Sequence, residues 1–377
     1  MIPYVSHGSV EGNAEVIGFL ERWLERAKLG QLNFIAAAVC EGPLHVYHDM
    51  AGKDGMEFAA NWGLEVLKQR LVRTTENREP PPVDKSAPAD RWIWLATKGP
   101  ACWDFFAWLV MVEMARMREH AEGPLKIGFY WGADGNRERV LQTAGRRQMY
   151  SNVILPGIAL VGAVEDQTCL ERGRVLERYT FYDVVQHCKL GEDVPLMVPS
   201  AAAVEAVEPI SSKGPYVTIT LREAAYSAHR NSNLDDWRKF ADYLTAQGER
   251  VIFVRDTCNA LETIDGYRTC PAASVDVDVR CALYEGARCN FFVSNGPWTL
   301  ALFGTRPWLM FNQVNAMDPY TPNTDQWWRQ YHGIGAGEQF PWSRPSQRIL
   351  WERDEFSSMT KAWEELEPLL SLPMAAE

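Results

Sequence analysis

Ser294-Asn295-Gly296-Pro297 stands between an apolar run and Trp298, and its order is that of a strand end, a tight turn and a helix start. Residues 290–293 read as a buried strand, residues 298–303 as the helix that Gly304 stops, and residues 307–311 as the next strand. A turn so placed lies at the carboxyl end of a strand, where open α/β sheets bind ligands. Backbone N–H groups at a helix start favour an anion, typically a phosphate. Two further turns are expected at the same sheet edge. One carries Arg222 and, later in its loop, Arg230; the other carries Asp256. A guanidinium fork suits a diphosphate. The structural alternative is that Arg222 pairs with Glu223 or Asp256.

These turns need a scaffold. Residues 216–221 and 251–255 read as strands, and residues 235–247 as a helix ended by Gly248. Residues 275–285 read as a second helix and residues 355–370 as an amphipathic closing helix. Strands alternating with helices at this spacing predict a parallel, doubly wound sheet. Upstream the pattern repeats. Residues 92–97 form a predicted strand, 98–104 a loop, 105–118 a largely buried helix, and 125–131 a strand followed by a polar loop over 132–139. Further strands are predicted over 153–158, 159–164 and 196–199, with a helix over 181–189 and an interdomain connector over 201–214.

Before this lies a small α-β-β-α module, residues 1–75, joined by a Pro-rich, charged linker over 76–90. The domains read as 91–205, 206–350 and a final helical segment, 351–377. His7, His45 and His48 lie in the first module, where no carboxylate spacing completes a ligand set.

Composition sets limits. The chain has 377 residues, 46% hydrophobic and 23% charged, with a formal net charge of -11. That acidity argues against a general nucleic-acid-binding surface. No apolar run is long enough to span a bilayer, and the first residues lack the pattern of a secretory signal. Eight scattered cysteines without a CxxC pair point to reduced thiols and a cytoplasmic protein. Cys270, Cys281 and Cys289 fit no zinc spacing and are expected as buried thiols.

The stretch from Pro215 to Phe311 resembles the donor-binding half of GT-B glycosyltransferases. The likeness is to the heptosyltransferase-like group (glycosyltransferase family 9) and, more loosely, to fucosyltransferase-like enzymes. It rests on YVTITLRE, on RNSNLDDWRKFADYLTAQGERVIFVRD, and on the segment ending SNGPWTLALFGTRPWLMF. In that group a strand ends in an Asp-Ser-Gly-Pro-like turn, a helix follows, and a Gly-x-Pro step precedes an apolar strand. Here the steps are Ser294 to Pro297 and Gly304 to Pro307. Asn295 stands where the group has an acid, unless the acid's place has shifted to Ser294, and Thr299 stands where it has a histidine.

The resemblance implies two Rossmann-like doubly wound domains of GT-B type, beside the N-terminal module. It implies metal-independent transfer of a sugar, with no cofactor, from a nucleotide-sugar donor to an unknown glycan or other acceptor. Arg222, Arg230, Asp256, Ser294, Asn295, Gly296, Pro297 and Trp298 would bind the donor. An inverting reaction needs a general base, for which Asp104 at a helix start is the first candidate; the alternative there is an N-cap. Asp134 and Glu223 are lesser candidates. Asp276 and Asp278 have the spacing of a metal-binding Asp-x-Asp, but two residues apart on a helix diverge by about 200°, so capping is expected. Trp327, Trp328, Tyr331 and His332 either stack on a ligand or pack a loop. Rival readings keep the fold as a sugar-nucleotide epimerase or pyruvyltransferase, or as a non-catalytic binding or assembly protein.

Overall fold

A computed structural model describes residues 86–370, apart from 133–134, 177–178, 225–226, 256–258, 261, 317 and 319–320. The N-terminal module and its histidines, most of the linker, Asp134 and Asp256 therefore lie outside the described residues.

Two parallel sheets carry the chain. The first joins β1 (Arg91–Leu95), β2 (Lys126–Tyr130), β3 (Val164–Glu165) and β4 (Arg174–Val175) in the order β3-β2-β1-β4. The second joins β5 (Val217–Thr220), β6 (Val251–Val254), β7 (Cys289–Val293), β8 (Trp308–Phe311) and β9 (Gln347–Leu350) in the order β6-β5-β7-β8-β9. All pairings are parallel. β5, β7 and β8 are buried at every position, which explains their continuous apolar runs: parallel strands are covered on both faces.

Besides short helices over Arg137–Val140, Ala144–Met149, Cys169–Arg172 and Pro271–Val275, the described residues form α1 (Phe105–Arg118), α2 (Phe181–Lys189), α3 (Ala201–Ser211), α4 (Leu234–Ala246), α5 (Val277–Gly286), α6 (Trp298–Leu302), α7 (Asp325–Tyr331) and α8 (Phe356–Leu370). α4 and α8 cover one face of the second sheet, with Trp237, Phe240, Trp363 and Leu366 packed on Ile219, Phe291 and Phe311. The opposite face, Ile252, Val254, Phe292 and Met310, joins α5 and continues without a break into the core of the first sheet. α1 runs through that shared core, with Phe105 to Ala115 all buried.

Three expectations are corrected. Residues 150–161 are helical: a π-turn over Tyr150–Ile154, a single turn over Leu155–Gly157 and a 3-10 turn over Ile158–Val161. The apolar run there buries Tyr150, Val153, Ile154 and Ile158, a helical period, and apolar runs of this length do not distinguish strand from buried helix. Residues 196–199 are extended but pair with no strand. The N–H of Met197 donates to Phe303 O (2.8 Å) and that of Val198 to Leu160 O (2.7 Å). Most of the expected connector over 201–214 is α3, capped by Ser200, whose hydroxyl accepts from Ala203 N. Its alanines favour helix, and Pro209 falls late enough for the helix to form around it. The boundary expected after residue 205 falls inside this helix.

Candidate functional site

Each sheet has one place where the chain reverses its direction of strand addition. In the first it is between β1 and β4; in the second it is between β5 and β7. Such switch points open a crevice beyond the carboxyl ends of the strands. Asp104 follows β1, and Arg230, Ser294 and Asn295 follow β5 and β7, on the carboxyl side of these strands.

The first is lined by the loop after β1. Arg146 donates from Nη2 to Ala96 O (2.8 Å), and its guanidinium lies 6.0 Å from the Tyr150 ring centre. Tyr179, from the stretch after β4, packs edge-on against Trp94 at 5.3 Å. Asp104 stands beside Cys102 in this setting. Its side chain does not cap α1, so the capping alternative is not what the structure contains. Asp104 is open to solvent, yet desolvation raises its carboxyl pKa, opposed by a hydrogen bond from Cys102. Desolvation, and then the charge of Asp104, push the Cys102 thiol well up, so this thiol is not a thiolate nucleophile at neutral pH.

At the second crevice, Arg230 donates from Nη2 to Ser294 O (3.0 Å), tying the β5 loop to the β7 turn. Asn295 accepts from Trp298 N through Oδ1 (3.3 Å), while its buried Nδ2 has no hydrogen-bond partner among the described residues. Asn312, directly after β8, is fully buried, and both its side-chain polar atoms are likewise unpartnered. The N–H of Ser294 donates to Phe311 O (3.2 Å), which brings Asn312 next to this turn. Buried polar groups without partners cost about 1–3 kcal/mol each, so these amides mark where a polar ligand would complete the bonding.

The helix start itself offers less than expected. α6 has five residues, too few for a strong macrodipole. Its first amides are engaged locally: Trp298 N by Asn295, Thr299 N by Gly296 O, and Leu300 N by Pro297 O. Pro297 and Trp298 are buried, and Trp298 packs on Trp308 and Phe340. Side chains, not helix-start amides, therefore face any anion here.

The two crevices meet. A Cβ on Gly296 would come within 2.0 Å of Trp103 Cδ1, so only glycine admits the indole. Trp103 also stacks on Phe106 at 5.5 Å and lies under the Arg280 guanidinium at 5.6 Å. Trp103 adjoins Asp104, and Gly296 adjoins Asn295, so the turn of one sheet is held against the loop of the other.

Several sequence candidates are occupied elsewhere. Arg222 is buried and donates from Nη1 to Ser227 O (3.1 Å) and Asn231 Oδ1 (2.5 Å), bracing its own loop. Glu223, one of its expected partners, pairs with Arg255 and accepts from Asn259, which leaves it poorly suited as a base; the other, Asp256, lies outside the described residues. Asp276 caps α5, accepting from Asp278 N and Val279 N, and Asp278 accepts from Ser200 N (2.9 Å) and Oγ (2.6 Å). Asp276 is thus a helix cap, as expected, and Asp278 holds the start of α3. Among the described residues no group of three His, Cys, Asp or Glu could hold a metal. Trp328 packs against Trp351 and stacks on His332 at 4.0 Å, and His332 stacks on Phe181 at 5.3 Å. Burial lowers the His332 pKa to about 3. Cys270, Cys281 and Cys289 are buried free thiols. Among the described residues, no helix is long and apolar enough to cross a membrane.

One arrangement escaped the sequence. His229 Nε2 lies 2.7 Å from Asp318 Oδ2 across 89 positions of chain, and the Asp318 side chain is fully buried while that of His229 is 43% exposed. No spacing rule connects residues so far apart. The available signals were only a histidine beside Arg230 and an acid in the loop after β8.

In comparisons with known proteins, no family model, no curated protein and no solved structure matches this chain.

Proposed function

We propose that this chain is a cytoplasmic, metal-independent glycosyltransferase of GT-B type that moves a sugar from a nucleotide-sugar donor to a hydroxyl acceptor. The observation that carries the reading is the apposition of two switch-point crevices at Trp103 and Gly296. Asp104 adjoins Trp103 and Asn295 adjoins Gly296 in sequence, so this contact supports a cleft shared by a carboxylate and by amide and guanidinium donors. Asp104 is the general base. Its raised pKa improves it as a proton acceptor once ionised. Arg230, with the unpartnered amides of Asn295 and Asn312, binds the diphosphate. Binding and orientation by these groups supply the rest, since electrostatic stabilisation of the departing phosphate requires donors fixed in place beforehand.

A thermal-shift screen against nucleoside diphosphates and nucleotide sugars tests the reading. A ligand at a hundredfold excess over its Kd stabilises the protein by about 2.7 kcal/mol, and Arg230→Ala should abolish the shift. The locally engaged amides of α6 favour, as a second reading, a non-catalytic protein on the same scaffold. Absence of a shift with every nucleotide would support it and overturn the first.

A further inference from the structure

The His229–Asp318 pair has a position that the strand order makes specific. His229 belongs to the loop after β5 and Asp318 to the loop after β8, and between these strands in the sheet lies β7. Adjacent strands are about 4.8 Å apart, so a contact between the two loops crosses roughly 10 Å and passes over the end of β7. That end carries Ser294 and Asn295. The next residue, Arg230, confirms the crossing by donating to Ser294 O (3.0 Å).

The chemistry of the pair is equally defined. Asp318 is wholly buried, and its second oxygen accepts from Thr321 N (2.8 Å), which fixes the carboxylate within its loop. The other oxygen, Oδ2, accepts from Nε2 of His229, which carries a proton, and the ring orientation is set. Nδ1 is then the nitrogen left to act. A brace between two surface loops would be served by any polar pair. A buried acid presenting a half-exposed imidazole above unpartnered amides suits recognition of an anion.

Resting on the nucleotide-sugar reading, we propose that His229 is a third wall of the diphosphate site. In the complex the ring carries a proton on each nitrogen, so Nδ1–H donates to a phosphate oxygen of the donor while Nε2–H stays on Asp318, the positioning residue that fixes the ring. The site thereby takes a diphosphate ester from three sides: the guanidinium of Arg230, the amides of Asn295 and Asn312, and the imidazole of His229.

The test uses the full chain with nitrogen-labelled histidine and four probes: inorganic phosphate, pyrophosphate, and the diphosphates of uridine and guanosine. The expected result is a shift of the His229 Nδ1 resonance on binding of pyrophosphate or a nucleoside diphosphate. His229→Gln and Asp318→Asn should each weaken binding about tenfold, the size of one charge-assisted hydrogen bond. Asp318→Asn should also release the fixed tautomer, a signature that loss of a loop brace would not give while His229 signals stay those of a folded protein. Binding to the wild type with unmoved His229 signals overturns the assignment and leaves the nucleotide reading intact. A response to inorganic phosphate as strong as to the diphosphates overturns the diphosphate assignment. Absence of binding by every probe overturns both readings.

Discussion

At Asp104 the central question is its proton. Desolvation holds its pKa above the ordinary carboxylate range, and a general base works only when ionised. The acid limb of kcat/KM should therefore fall at a higher pH than a solvated aspartate would give. Asp104→Asn should lower turnover about 10²- to 10⁴-fold and leave nucleotide-induced stabilisation unchanged; unaltered turnover would remove the residue from the mechanism. His332 behaves in the opposite sense. Its folded pKa, about 3, lies below the unfolded value near 6.5. Between these values the unfolded chain binds more protons, so stability falls as pH drops through this window. His332→Phe should flatten the pH dependence of Tm between pH 6.5 and 4, and an unchanged slope would assign the acid sensitivity to other groups. The residue scale was the least legible. Asp104 could be picked out because a helix pattern began after it, whereas its enclosure depends on residues such as Cys102 and Tyr179. In sequence Arg222 was the stronger candidate of the two arginines. The first donates to Ser227 and Asn231 of its own loop, and the second, Arg230, reaches the turn.

Among the elements, α4 depends on a residue far beyond it in sequence. Asp354 accepts from Asn233 N (2.8 Å) and Trp237 Nε1 (2.8 Å) at the start of that helix, and also from Gln313 after β8. Asp354→Ala would leave these buried donors unpaired, and a loss of about 3 kcal/mol is expected in denaturant unfolding. At the turn before α6, Gly296→Ala would place a methyl group inside the Trp103 ring. The expected outcome is a red-shifted Trp103 fluorescence and weakened nucleotide binding, with far-UV circular dichroism retained. Elements were legible where local signals agreed. α1 begins after a Gly-Pro loop and its predicted bounds coincide with Phe105–Arg118; α4 ends at Gly248, which takes the positive φ of 90° that glycine tolerates. The run from Tyr150 to Val161 was misread because its apolar residues satisfy both periods. β3 and β4, two residues each, are too short to leave a pattern.

Across the whole molecule, the face of the second sheet built by Ile252, Phe292 and Met310 belongs to the same core as Trp94 and Phe129 of the first. The two sheets should therefore lose structure together. Amide exchange at β1 and β7 is expected to report one opening free energy, and a clear separation between them would mean two independent folding units. The two-sheet α/β architecture was readable from alternation of strands and helices. The fusion of their cores was not, because it depends on which faces α3 and α5 turn toward each other. Ser200 and Asp278 lock that contact, yet neither residue has a sequence signal beyond helix capping.

α1 carries a consequence for biosynthesis. Its eleven consecutive positions from Phe105 to Ala115 are all buried in the finished protein, partly beneath helices encoded later. α2, one of its neighbours, leaves the ribosome roughly 70 residues afterwards, on the order of 3–15 s at ordinary elongation rates. During that interval this stretch, apolar but for Glu113, has no cover from the chain that will enclose it. Nascent polypeptides arrested between α1 and α2 should be strong clients of holding chaperones, and those released after α5 should not.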